Sequence, residues 1–234
     1  MAEPELSAAD IARMRTPLWE QAKIALGRGN PEEAAALIDR AVEQWRGLKE
    51  YSINWITSLL TFIGEEMGED AVERSLRKTG EEFVRPRRDT GSDWGSIPAA
   101  ARAKVIARAM LGNMGEVDVE EDDEKIVLSF KCGSGGMLID EGKYEGEHPY
   151  LKLREKGPRT FMRDEYWVYC AHCSVNNEIQ AIEWGQTPTS IEYPPEKRGE
   201  RCVHHVYKDP SDIPDDAYHR IGKQRPGARK STGR

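Results

Sequence analysis

Four cysteines carry the chemistry of this 234-residue chain, and two of them form a Cys-x-x-Cys with an imidazole inside it, Cys170-Ala171-His172-Cys173. Two thiols separated by two residues can bind one ion from a single tight turn, and tetrahedral zinc then needs two more ligands from elsewhere in the chain. The other two cysteines can supply them: Cys132, in Lys131-Cys132-Gly133-Ser134-Gly135-Gly136, and Cys202, in Cys202-Val203-His204-His205. The expected site is one zinc held by Cys132, Cys170, Cys173 and Cys202. Iron with a cluster is the alternative metal.

Two coordination schemes stay open. A closed set of four cysteines is structural, because four thiolates make zinc electron-rich and a poor Lewis acid. Three cysteines with His172 or His204, or three ligands and a water, leave zinc able to activate a nucleophile or polarise a carbonyl. On a strand, residues two apart share a face, so His204 points with Cys202 and His205 points away. The first function expected is thus a zinc-assisted hydrolase or lyase acting on a small molecule, with His172 or His204 as acid/base. The second is a binding or regulatory module whose zinc is structural, and the third is a thiol redox protein using Cys170 and Cys173. His148 and His219, in polar stretches, read as surface residues. Glu178 and Glu183, on the helix after the knuckle, read as solvated charges, with a role in orienting a histidine or taking a proton as the sharper alternative.

The elements that must position these groups change character once. A first helix is predicted over residues 7–28, with Ser7 as N-cap, and Asn30-Pro31-Glu32-Glu33 starts a second, long one. Leu37, Ile38, Ala41, Val42, Trp45, Leu48, Trp55, Ile56, Leu59, Leu60 and Ile63 recur along it at spacings of three and four, an apolar stripe expected to lie under a sheet. A helix over 69–83 follows. Arg85 to Gly95 reads as a charged loop, its three arginines either solvated or an anion contact with Trp94 as a wall, and a helix from Pro98 ends at Gly112 or Gly115. Beyond Gly115 the period drops to two: Val117 and Val119, then Ile126, Leu128 and Phe130, predict a hairpin whose second strand ends at Cys132. Residues 139–165 read as a long loop or flap that serves as a lid. Tyr166 to Tyr169 is a short strand, Val175 to Trp184 a helix, and Thr189 to Tyr193 and Arg201 to Tyr207 are the last strands.

The expected fold is therefore α+β, an N-terminal helical half packed on a C-terminal, mainly antiparallel sheet that carries a cysteine-based metal site. It is expected as one domain over 1–222, helical over about 7–112 and metal-bearing over about 113–210. A basic tail, 223–234, is expected to be disordered. A net charge of −7 opposes nucleic acid as a partner. No apolar run approaches a membrane span and the start lacks a signal-peptide pattern, so a soluble, cytoplasmic protein is expected. Its partner is expected to be a small-molecule ligand or substrate; oligomeric state is left open.

An α-helical first half, a hairpin ending in a cysteine, a cysteine-headed helix, a strand, and Gly199-Glu200-Arg201-Cys202 before the final strand resemble the layout of 2-amino-thiazoline-4-carboxylate hydrolase-like proteins and the related 4-vinyl reductase domains. The resemblance covers roughly residues 31–207 by order of elements and rests on the cysteine positions. It implies an α+β small-molecule-binding domain and does not transfer a reaction.

Overall fold

The computed structural model describes residues 6–89 and 91–225, so most of the predicted tail lies outside the described residues. The chain is α+β, with helices up to Gly112 followed by a four-stranded antiparallel sheet. It divides into two compact units, 1–52 and 53–234, with the boundary inside the long third helix. None of the helices described is long and apolar enough to cross a membrane.

The first unit holds α1 (Ala8–Arg15), α2 (Leu18–Gly27) and the start of α3 (Pro31–Met67). The single helix predicted over 7–28 is broken at Thr16. Pro17 disfavours a helical residue before it, and Thr16 is accordingly extended, φ −109° and ψ 119°. Ser7 and Asp10 cap α1 reciprocally, and Asn30 accepts from the Glu33 N–H to start α3. The core is small: Leu18, Ala22 and Ala25 of α2 pack on Ala34 and Leu37 of α3.

The second unit continues α3 and adds α4 (Glu69–Thr79), a π-helical turn at Gly80–Val84, α5 (Arg85–Arg88) and α6 (Ala99–Gly112). The segment read as a loop from Arg85 thus begins as helix. Next come β1 (Glu116–Glu121), β2 (Lys125–Lys131), α7 (Gly135–Asp140), β3 (Lys152–Leu153) and β4 (Tyr166–Trp167). A π-helical stretch, Cys173–Ile179, runs into α8 (Gln180–Glu183), and β5 (Ile191–Tyr193), β6 (Cys202–Tyr207) and α9 (Asp215–His219) complete the unit. The sheet runs β1-β2-β6-β5, with β3 and β4 paired separately. The edge strand β1 carries Glu116, Asp118, Glu120 and Glu121, all exposed.

The partner of the sheet differs from the one expected. Ile126, Leu128 and Phe130 of β2, with Cys202 and Val206 of β6, pack on Ala99, Ala103 and Ile106 of α6. The alanines let α6 approach the sheet closely, and a turn of three residues joins it to β1, so α6 takes the place assigned to the stripe of α3. Ile53 and Leu60 of α3 instead join Val72, Leu76, Leu138, Leu153, Tyr166, Cys170 and Cys173 in the largest core.

Candidate functional site

The hairpin register brings Phe130 opposite Cys202, and Cys132 follows β2 by one residue. Gly133 and Gly135 are required by close approach. A Cβ at Gly133 would sit 1.7 Å from the Asn113 carbonyl oxygen, and one at Gly135 would sit 2.7 Å from the Cys170 Sγ. The turn after Cys132 is thus pressed onto the knuckle. Cys170 lies in the turn three residues beyond β4 and Cys173 at the head of the π-helical stretch, with the Cys173 N–H donating to the Cys170 carbonyl at 2.9 Å.

All four thiols are free, and Cys170, Cys173 and Cys202 are buried while Cys132 is partly so. They lie within electrostatic reach of one another. Burial pushes the Cys170 thiol up, with Cys132 adding to it; Cys202 is pushed up by burial, then by Cys132 and Cys170. Cys173 is pushed well up by burial, by Glu192 and by the other three cysteines. Tyr166 and Tyr169 beside them are pushed up by burial and by the same thiols. Buried, protonated thiols are poor nucleophiles, which disfavours the dithiol redox reading. Cys132 also lies 3.0 Å from the Ser134 Oγ. Among the described residues, no group of three or more His, Cys, Asp or Glu side chains is arranged to hold a metal ion.

The histidines divide sharply. His172 places Nδ1 2.6 Å from the Tyr169 carbonyl, which can only accept, so Nδ1 carries a proton, and Nε2 lies 3.6 Å from the Cys173 Sγ. His204 is buried, and its Nδ1 is 3.0 Å from the Ser190 Oγ while Nε2 is 3.8 Å from the Glu192 carboxylate. Nδ1 is thus engaged by Ser190, while Nε2 has the longer approach to Glu192. Burial lowers its pKa, against the pull of Glu192, so the neutral ring is favoured. Phe130 packs edge-on against it at 4.9 Å. His205 lies on the opposite face, as strand alternation requires, with its ring tilted by 50° against that of Tyr193 at 4.8 Å.

Glu178 is a correction. It was read as a solvated helix charge, but it is fully buried, and burial raises its pKa to about 8 despite the opposing Arg220. One carboxylate oxygen accepts from the Glu192 N–H and from Arg220, both at 2.7 Å; the other has no partner among the described residues. Glu183 behaves as expected, in partly exposed ion pairs with Arg77 and Lys223, and His148 and His219 are exposed. Arg88 donates to the Asn177 backbone and side-chain oxygens, and Asn177 donates in turn to Glu192 at 3.3 Å. Trp94 donates to the Arg88 carbonyl rather than walling an anion.

Sequence reasoning missed Ser190 and Glu192. The signal was present in part, because both fall on one face of the predicted strand 189–193, but only the β5–β6 register shows that Glu192 stands opposite His204. The predicted lid is also absent as a free loop. The segment 152–165 is tied to α4: the Glu69 carboxylate accepts from the Arg154 and Glu155 N–H groups at 2.6 and 3.1 Å, and the buried Arg159 contacts Asp70, Glu73 and Glu155.

No protein-family model matches the chain, and neither a curated protein nor a solved structure matches it.

Proposed function

We propose that the protein binds zinc through Cys132, Cys170, Cys173 and Cys202 and acts as a hydrolase or lyase on a small molecule, with His204 moving the proton. The observation that carries the metal is the gathering of four free thiols from three segments of the chain within electrostatic reach of one another, Cys173 being raised by the other three and Cys202 by Cys132 and Cys170. Their chemistry fits a soft divalent cation, which favours the thiolates that burial alone disfavours. Their positions as they stand do not enclose an ion, so binding requires the side chains to close inward. An all-thiolate zinc supplies fold stability; polarisation of a substrate needs one ligand position open.

The chain's own residues support the proton role. Ser190 and Glu192 hold His204 from its two nitrogens, and its lowered pKa keeps the ring neutral and able to accept. A second reading, a small-molecule-binding module with a structural zinc, is favoured by the deep burial of His204.

Elemental analysis of protein purified without added metal is expected to find about one zinc per chain, and Cys202→Ser to lose it. Under a tenth of an equivalent of any transition metal, with four freely titrating thiols, defeats the proposal; iron with visible absorption replaces zinc by a cluster. His204→Ala is expected to retain the wild-type zinc content, since Nδ1 is engaged by Ser190 and Nε2 approaches Glu192. Loss of metal in that variant would make His204 a ligand and overturn its proton role.

A further inference from the structure

We propose that the cavity between α5 and Trp184, just after α8, binds a small oxyanion, a carboxylate or a phosphate group. The cavity has a volume of about 80 Å³ and is lined by Arg85, Arg88, Asp89, Trp184 and Gln186. At roughly 30 Å³ for each water it has the space of two or three waters, which one such group fills. Arg85 and Arg88 are three residues apart on α5, so they stand on one face. Arg87 is not part of the lining; its guanidinium donates to the Phe83 carbonyl at 2.8 Å and stacks on the Phe83 ring at 3.5 Å.

Donors dominate the lining. Arg88 gives N–H groups to the Asn177 carbonyl and Oδ1, both at 3.2 Å, and no carboxylate reaches it at ion-pair distance among the described residues. Burial lowers its pKa, and only the charge of Glu192 opposes this. A partly buried cation without a carboxylate is costly, and an oxyanion offsets that cost; the parallel N–H pairs of a guanidinium match the two oxygens of a carboxylate or phosphate. Gln186 accepts the Trp94 backbone N–H on Oε1 at 3.0 Å, which leaves its amide N–H groups as further donors. Asp89, the carboxylate in the lining, already accepts from the Gly91 N–H at 3.1 Å, and Arg85 pairs with Glu81 at 2.9 Å, so Arg88 supplies the uncompensated charge. Trp94 braces two walls at once, since its indole N–H also donates to the Arg88 carbonyl at 3.0 Å. Asn177 accepts from Arg88 and donates to Glu192 at 3.3 Å, which places the cavity two hydrogen bonds from the carboxylate opposite His204.

Inorganic phosphate and acetate, each titrated into the full chain at constant ionic strength, test this, with the Trp184 indole N–H followed by nuclear magnetic resonance. A saturating shift is expected with at least one of them, and the tighter-binding anion identifies the group. Arg88→Gln is expected to weaken that binding about tenfold or more, as the loss of a charge-assisted hydrogen bond does. Arg85→Gln should weaken it too, while Arg87→Gln, the same change of charge outside the lining, binds as the wild type does. Should Arg88→Gln lose the wild-type circular dichroism, Arg85→Gln decides in its place. The absence of a saturating shift with either anion overturns the proposal, as does binding that the deciding variant leaves intact or that Arg87→Gln weakens equally.

Discussion

Glu178 is a carboxyl placed where its charge is least welcome. The Arg220 guanidinium and a backbone N–H reach one oxygen, yet burial holds the pKa near 8, well above the ordinary 4.5. A folded-state pKa above the unfolded one means that the group favours folding below pH 4.5, and that this contribution is lost as the pH rises to about 8. Glu178→Gln removes the titration. The melting temperature of that variant relative to wild type is therefore expected to climb between pH 4.5 and 8, measured by scanning calorimetry. A difference that is flat across this range would mean that the carboxyl is ionised throughout. His204 runs the other way, since its lowered pKa subtracts stability as the pH falls below 6.5. Among the site residues the cysteines constrain a reading of the sequence most, because their type and number limit what they can do. A carboxylate on a helix is ordinarily solvated, and the partners of Glu178, the Glu192 N–H of β5 and Arg220 just after α9, come from segments distant in sequence.

Among the elements, the segment that follows β3 acts as a strap. Arg159 is 10% exposed and faces carboxylates at 69, 70, 73 and 155, so one guanidinium joins α4 to the 152–165 segment. Removing it leaves like charges facing one another, and Arg159→Ala is expected to destabilise the fold by about 2 kcal/mol, read from urea unfolding. A change within ~0.3 kcal/mol would show that the cluster is solvated and idle. The close packing of Gly135 on Cys170 gives a second test at this scale. Gly135→Ala should lower zinc retention in a competition with a chelator, although every thiol is still present, because its Cβ displaces the Cys170 Sγ. The hairpin, β5 and β6 were legible because alternation survives in a half-buried sheet. The π-helical stretch at Cys173–Ile179 was not, since its hydrogen bonds answer to tertiary packing of Ser174, Asn176 and Gln180 rather than to a pattern in the residues.

For the whole molecule, the legible part was the class and the misread part was the packing partner. An apolar helical stripe normally faces a core, and on that ground α3 was placed under the sheet; the alanines of α6, quieter in sequence, sit there instead. The acidic strand β1 has a different consequence. It ends the sheet as an edge, along which the exposed carboxylates of Glu116, Asp118, Glu120 and Glu121 outnumber the cations that reach them, Lys131, Arg201 and Lys208. In neutral solution the repulsion of this excess charge keeps two such edges apart. Screening that charge removes the barrier while the strand still holds its hydrogen-bonding pattern, so turbidity should rise with added salt before the far-ultraviolet spectrum changes.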